Sequence, residues 1–517
     1  MNQNAIQKLL LLILMIGGAL WLVVEILTGG GNTLGKFYLF SAIGAFVTGL
    51  VAPRFAVVVS LFCTTYIDLL KRLMIFDSYL SYIDLYYVLG IPPLLIAGAV
   101  LSVILGVIVR KINLDRYLVA NFFLSCGLFG LGIFAIGDST GYRSLGDIVN
   151  QGAYAFFFFL LPVLFKTVDD RRKLLNWMLF LFLGVAIYMF RHRYFGLAEF
   201  EYRYLLSGLT IEKRILTDQE ALRGFSTMNG AAVVSVFTSM MILVSLVPLK
   251  KDNQKPELLQ WIGRIIMAII FLLASYYTVS RGGWFCGIGA ILTYVLLSSR
   301  KLSVVGAGAA VAGVGLLIGF APFIQKDRTL EKGEKILKDM FLSNQHDAFA
   351  ERAVVLGTAN DRLQGWVNLT QNPQIWQPFG FKAAGMEDNI HDLVWGHDLI
   401  IDTLITVGWV PPLILGMFAF WGVMRAQRWF FQLPSRSLER KLVRLSFALA
   451  IGILVGGLGN GQQLRVYPQN FYFYLFLGII YTSYRNSIRE KRSSQVSQDL
   501  VRRQDVADNR RAIEASI

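Results

Sequence analysis

The chain has 517 residues, 55% of them apolar and only 16% charged, with a mean hydropathy of +0.54 and a formal net charge of +15. Soluble domains carry about 25% charged residues, so this composition excludes a soluble enzyme, a disordered chain and a disulfide scaffold. It points to a chain that crosses a bilayer many times, with the basic excess in cytoplasmic loops rather than on a nucleic-acid footprint.

A spanning helix needs about 20 mostly apolar residues. In chain order such runs cover residues 8–27, 37–51, a short one at 55–70, then 87–109, 117–136, 148–165, 174–190 and 225–249. They continue at 259–279, 284–297, 302–323, 399–423, 442–458 and 471–484. The expectation is an all-α polytopic membrane protein of about fourteen transmembrane helices. Lys8 and the run behind it look like a signal peptide, but the run reaches Leu27 and many spans follow, so it reads as an uncleaved first helix. Cys63, Cys126 and Cys286 lie inside apolar runs without zinc spacing and read as small buried side chains.

Loop charges orient the spans. Arg110, Lys111 and Arg116 share one loop, and Lys166, Arg171, Arg172 and Lys173 lie two loops on. Lys250, Lys251 and Lys255 follow, then Arg300 and Lys301, then Arg425 to Arg444, then the tail after Arg485. Basic clusters in every second loop place both termini in the cytoplasm. Lys71 and Arg72 fall in an outer loop and break the pattern mildly; Asp77 and Asp84 are the nearest offsetting charges.

Three regions result. Residues 1–222 hold the N-terminal spans and an outer loop near 191–222. Residues 223–484 form a second membrane region that includes a large, partly helical outer loop at 324–396. Residues 485–517 are a basic cytoplasmic tail. So long an outer loop is a functional candidate.

The outer boundary gathers basic groups at helix ends. Arg223 precedes Gly224, Phe225 and Asn229 where a span begins. Arg281 lies in Thr278-Val279-Ser280-Arg281-Gly282-Gly283, between spans that require a tight outer turn. His397, in Gly396-His397-Asp398-Leu399, stands where the long loop enters the next span. All four histidines, His192, His346, His391 and His397, map to the outside or its edge. The planar fork of Arg suits phosphate oxygens, and a His near neutral pKa accepts a proton from an attacking hydroxyl. Taken singly, Arg223 reads as an interfacial anchor, Arg281 as a helix cap and Tyr202, Arg203 and Tyr204 as a solvated loop.

In order, these pieces resemble the O-antigen ligase and polymerase superfamily. Arg223-Gly224-Phe225 with Asn229 is similar to its Arg…Gly-Phe…Asn element, and Thr278 to Gly283 to its Ser-Arg-Gly element. Asp361-Arg362, Trp366 and Pro378-Phe379-Gly380-Phe381 resemble its large-loop Arg…Trp…Pro-x-Gly segment. His397-Asp398-x-x-Ile401 with Gly408 resembles its His-Asn-x-x-Leu…Gly element, with Asp398 where Asn is usual and Trp409 and Pro411-Pro412 where a second Gly region is common. The resemblance runs from about Arg223 to Met424; the earlier spans match in hydropathy alone.

The resemblance implies a GT-C-type fold and a metal-independent, inverting glycosyltransferase of the bacterial inner membrane, without cofactor. It would work on the periplasmic face on an undecaprenyl-diphosphate-linked glycan. Arg223 and Arg281 would bind the diphosphate and, with His397 activating the acceptor hydroxyl, would be catalytic. Asn229, Arg362 and Asp398 would complete substrate binding. Lipid A-core is the favoured acceptor, which makes a ligase. A polymerase joining repeat units on the carrier, a protein O-oligosaccharyltransferase and, in a different class, a lipid-linked sugar transporter stay open. Transporters place ionisable groups near the midplane of repeated halves. No repeat is evident, Glu25 sits near an outer end and Asp402 about one turn inside it.

Overall fold

The computed structural model describes residues 33–74, 82–113, 115–136, 152–207, 224–250, 258–278, 280–302, 304–306, 437–460 and 467–490, with short pieces between 376 and 435. Among them the regular structure is helical throughout. Hydrocarbon offers the backbone no hydrogen-bonding partner, so each spanning segment satisfies its own amides as a helix. In chain order these are α1 (Thr33–Val51), α2 (Pro53–Met74), α3 (Tyr82–Ile108), α4 (Arg116–Ile136), a 3-10 turn (Ala153–Phe156) running into α5 (Phe157–Leu164), and α6 (Val168–Phe195). The short α7 (Glu199–Leu206) is followed by α8 (Ala231–Leu246), α9 (Leu258–Tyr277), α10 (Arg281–Leu296), α11 (Leu438–Asn460) and α12 (469–490).

Four helical stretches, Pro53–Met74, Tyr87–Ile108, Val168–Phe195 and Leu258–Tyr277, are long and apolar enough to cross a membrane. At 1.5 Å per residue, 22 residues of α2 reach about 33 Å, against a hydrocarbon core of about 30 Å. The exposed surface matches. On α9, Ile262, Ile265, Ile266, Ile269, Leu272 and Leu273 face outward, while Ala268, Phe271, Ala274 and Ser275 are buried. Large aliphatic residues outside and mostly small ones at the helix contact, with Phe271 the exception, match the pattern of a lipid-facing helix.

The elements differ from the sequence expectation in several places. The run at 87–109 begins five residues earlier, at Tyr82. The short third run is a full 22-residue helix, α2. The run at 174–190 begins at Val168, where Thr167 accepts a hydrogen bond from the Asp170 N–H and Asp169 and Asp170 meet the positive helix end, and it continues to Phe195. The run at 225–249 is helical only from Ala231, because 224–230 is irregular, buried chain. The final helix continues past 485 to 490. The run at 8–27, most of those at 302–323 and 399–423, and the loop at 324–396 apart from 376–379, lie outside the described residues.

Small residues set the helix contacts. α1 packs on α3 at Gly49 and Gly98. A Cβ on Gly98 would stand 2.2 Å from the Phe46 carbonyl oxygen, and one on Gly49 would stand 2.3 Å from that of Leu95. Both obstacles are backbone, so the helices must part to admit a methyl group. Gly98→Ala is therefore expected to destabilise by about 1–3 kcal/mol, the usual cost of overpacking. Gly44→Ala on α1, whose Cβ meets nothing within 4 Å, should be neutral or stabilising. Melting curves of the two variants in detergent check this.

α8 runs through the middle of the bundle, packed on α6, α9, α10 and α11. Its Phe237 stacks on Phe182 of α6 at 5.1 Å and meets Tyr472 of α12 at 4.8 Å. α10 seats Gly283 on Ser235 and Gly287 on Ser239, and α11 seats Gly452 and Gly456 on Cys286. The bundle thus has two ends. Arg171 lies where α6 starts and His192 where it finishes, and the starts of α8 and α10 lie at the His192 end.

Candidate functional site

At the His192 end a buried polar network replaces hydrocarbon packing. Gly196 closes α6, its N–H donating to the His192 carbonyl, and its φ of +73° turns the chain into α7. Glu201, at the third position of α7, reaches back to the Ala198 N–H at 2.8 Å. Its carboxylate is fully buried and also accepts from His192 Nε2 (2.8 Å), Arg191 (3.0 Å), Tyr188 Oη (3.2 Å) and Arg72 (3.3 Å). The Arg72 guanidinium lies 4.2 Å over the Phe225 ring and donates to the carbonyls of Ser226 and Met228.

These contacts pin the chain that follows Arg223. Ser226 adopts φ +49°, uncommon for a residue with a side chain. It is held by its N–H to His192 Nδ1 (3.2 Å), its Oγ to the Val185 carbonyl (2.6 Å) and its carbonyl to Arg72. Thr227 donates to the Thr65 carbonyl at 2.6 Å. A peptide N–H only donates, so His192 Nδ1 is unprotonated and its single proton sits on Nε2, facing Glu201. Both nitrogens of His192 are committed, which makes it a positioning residue for this segment.

The network also accounts for Lys71 and Arg72, the basic pair that breaks the charge alternation read from the sequence. Arg72 answers Glu201, and Lys71 pairs with Asp68 at 2.8 Å and lies 5.3 Å over the Tyr204 ring. Both cations are buried. Buried ion pairs of this kind do not take part in the loop-charge balance that orients spans. Asp68 and Glu201 supply the counter-charge here, whereas the sequence pointed to Asp77, outside the described residues, and Asp84, of whose side chain nothing is described.

Of the residues expected to form the site, Asn229 is described in full. It is exposed and precedes Gly230, the N-cap of α8, so it stands just before the helix rather than in its first turn. Arg281 is the first residue of α10, after a three-residue connection from Tyr277. Ser235 of α8 donates to the Ser280 carbonyl at 3.0 Å, so the chain entering α10 lies against the first turn of α8. Tyr277, at the end of α9, packs on Phe190 at 5.7 Å, which brings α6 to the same place. The Arg223 and Arg281 elements therefore converge on one end of the bundle.

A second pair of elements also meets. The Trp409 and Val410 N–H groups donate to the carbonyls of Gln377 (3.3 Å) and Pro378 (3.1 Å), with Gly408 at φ +76°. This joins the Pro-x-Gly part of the long loop to the chain after His397. Arg223, Arg362, His397 and Asp398 lie outside the described residues. Tyr202, Arg203 and Tyr204 sit on α7: Tyr204 is buried under Lys71, Arg203 pairs with Glu199, and Tyr202 is partly exposed. Sequence reasoning assigned no role to Arg72, Glu201 or His192. The signal for Arg72 was its place against the positive-inside rule. No known family model, curated protein or solved structure matches this chain.

Proposed function

We propose that this chain is a glycosyltransferase of the O-antigen ligase type, working at the His192 end of its helix bundle. The acceptor hydroxyl oxygen attacks the anomeric carbon of a glycan on undecaprenyl diphosphate, and the bond to the diphosphate oxygen breaks with inversion. His397 takes the hydroxyl proton, and Arg223 and Arg281 meet the charge on the leaving diphosphate. Asn229, Arg362 and Asp398 line the substrate. In this reading the protein spans the bacterial inner membrane with about fourteen helices in a GT-C-type arrangement. Its termini are cytoplasmic and the His192 end faces the periplasm.

The observation that carries the reading is the start of α10. Arg281 stands at the first helical position, followed by Gly282 and Gly283, beside the first turn of α8 and the segment behind Arg223. A cation there opposes the helix dipole. Helix starts attract anions, through free N–H groups and the dipole together. A diphosphate would turn the unfavourable placement of Arg281 into a favourable one.

The test is a reconstituted transfer assay without added metal. The purified protein receives an undecaprenyl-diphosphate oligosaccharide and lipid A-core, with His397→Ala in parallel. One glycosylated lipid A product, lost in the variant, is the expected result. A ladder of longer carrier-linked glycans would make the protein a polymerase instead. Absence of any glycan product from the wild type would remove this reading.

A further inference from the structure

The opposite end of the bundle holds a cleft of about 260 Å³ between the start of α4 and the last turns of α12. Its charged lining residues are Asp115, Arg116, Arg485 and Arg489, and its walls include Tyr117, Tyr481, Tyr484 and Ile488. Asp115 caps α4 by accepting from the Leu118 N–H at 2.8 Å. Its other carboxylate oxygen accepts from Arg485 at 2.6 Å and from Arg489 at 2.5 Å. Burial alone would raise the Asp115 carboxyl; the hydrogen bonds from Arg485, Leu118 and Arg489 outweigh it and hold the group below its ordinary value. One carboxylate thus serves two guanidinium groups, with a third cation, Arg116, at the rim.

The Arg485 side chain is only 4% exposed, yet its Nε and Nη1 atoms have no hydrogen-bond partner among the described residues. Buried N–H groups of a charged side chain are costly to leave unmet. Arg485 is one of the residues lining the cleft, whose charged groups carry an excess of positive charge. The site is short of an anion.

We propose that this cleft binds the phosphate of an anionic phospholipid. This end of the bundle carries Lys166, Arg171, Arg172 and Arg440, so the positive-inside rule assigns it to the cytoplasmic boundary, where anionic headgroups lie. Guanidinium forks match phosphate oxygens. Tyrosines beside an apolar wall suit the headgroup level of a bilayer, with Ile488 available to the upper acyl chain. The same oxygens on a soluble phosphate would satisfy Arg485 equally, but would leave the apolar wall without a partner. The proposal does not depend on the transfer chemistry at the other end.

Native mass spectrometry of the full chain in detergent tests it, with phosphatidylglycerol, phosphatidylcholine or inorganic phosphate added in turn. Phosphatidylglycerol is expected to be retained over phosphatidylcholine. The double variant Arg116→Ala, Arg489→Ala should weaken that retention about 25-fold, at roughly fivefold per basic residue near a membrane surface. Both side chains are exposed in the protein, so the melting temperature should hold. Should it fall, Arg489→Gln alone gives the same comparison at about fivefold. Equal retention of the two lipids, or retention undiminished in a folded variant, overturns the proposal. Retention of inorganic phosphate without preference for phosphatidylglycerol overturns the lipid as the source.

Discussion

Glu201→Ala is expected to destabilise the protein by about 3–5 kcal/mol, the cost of removing one partner from a buried ion pair. The effect arises mainly in what remains. Arg72 and His192 are both fully buried and would lose their carboxylate together. Arg72 would keep its bonds to the Ser226 and Met228 carbonyls, its ring contact with Phe225 and the more distant charge of Asp68. The Ala198 N–H would lose its partner at the start of α7 as well. Replacing the pair, with Arg72→Met and Glu201→Leu together, should cost less than Glu201→Ala alone, because no unpaired charge is left in the interior. Melting temperatures of the single and double variants in detergent check this. Equal loss in both would mean that the network contributes shape rather than charge.

The same carboxylate gives the stability a pH dependence of known sign. Burial alone would raise the Glu201 carboxyl, but the hydrogen bonds from His192 and Ala198 and the nearby Arg72 outweigh it and hold the group below its ordinary value of 4.5. A group depressed in the folded state stabilises above its unfolded value, and the contribution fades as pH falls through the folded one. The melting temperature of the wild type should therefore be insensitive to Glu201 near neutrality and fall as pH drops below about 4.5. In Glu201→Gln that acid-dependent part should be missing.

How far the fold was legible follows from which forces wrote it. Bilayer thickness imposes a length and an apolar composition on each span, and α4, α9, α10 and α11 fall where hydropathy puts them. The segment 224–230 was misread for the same reason. Phe225, Met228 and Ala231 are apolar because they are buried, and hydropathy reports burial without reporting conformation. Gly224 and Gly230 at its edges, with Ser226 and Thr227 between, were the local sign that the helix starts late. Arg72 was visible as a misplaced charge, but its partner is not readable. Glu201 lies 129 positions away and meets it only because the chain turns back between α6 and α7. Arg485 was assigned to a polar tail by composition, whereas the helix continues and buries its side chain against Asp115. Of the site elements, sequence order placed Arg281 at a tight turn but put Asn229 in the first turn of a helix that begins two residues later. That Ser235 ties the Ser280 chain to α8 depends on Gly283 leaving room for it, a packing relation with no linear signature.

Under the proposed function, Arg281→Ala should lower the rate of glycan transfer by about 10²–10³, the usual loss when a fixed group that stabilises transition-state charge is removed. Stability should move the other way. A positive side chain at the first position of α10 opposes the helix dipole by about 0.3–1 kcal/mol, and alanine relieves this. An arginine kept for structure would show the reverse, a loss of stability with transfer spared. Arg281→Lys separates charge from geometry: it keeps a cation but not the planar fork that grips two phosphate oxygens. Its rate should therefore fall between those of the wild type and the alanine variant, with most of the loss in kcat if the fork engages the leaving group only as the bond breaks. Single-turnover rates with a lipid-linked diphosphate glycan, measured beside melting temperatures in the same detergent, distinguish these cases. A full rate with Arg281→Ala would remove this residue from the reacting centre. The proposed diphosphate at the start of α10 would then have to be held by backbone N–H groups alone, and Gly283 would matter only for seating α10 on Ser235.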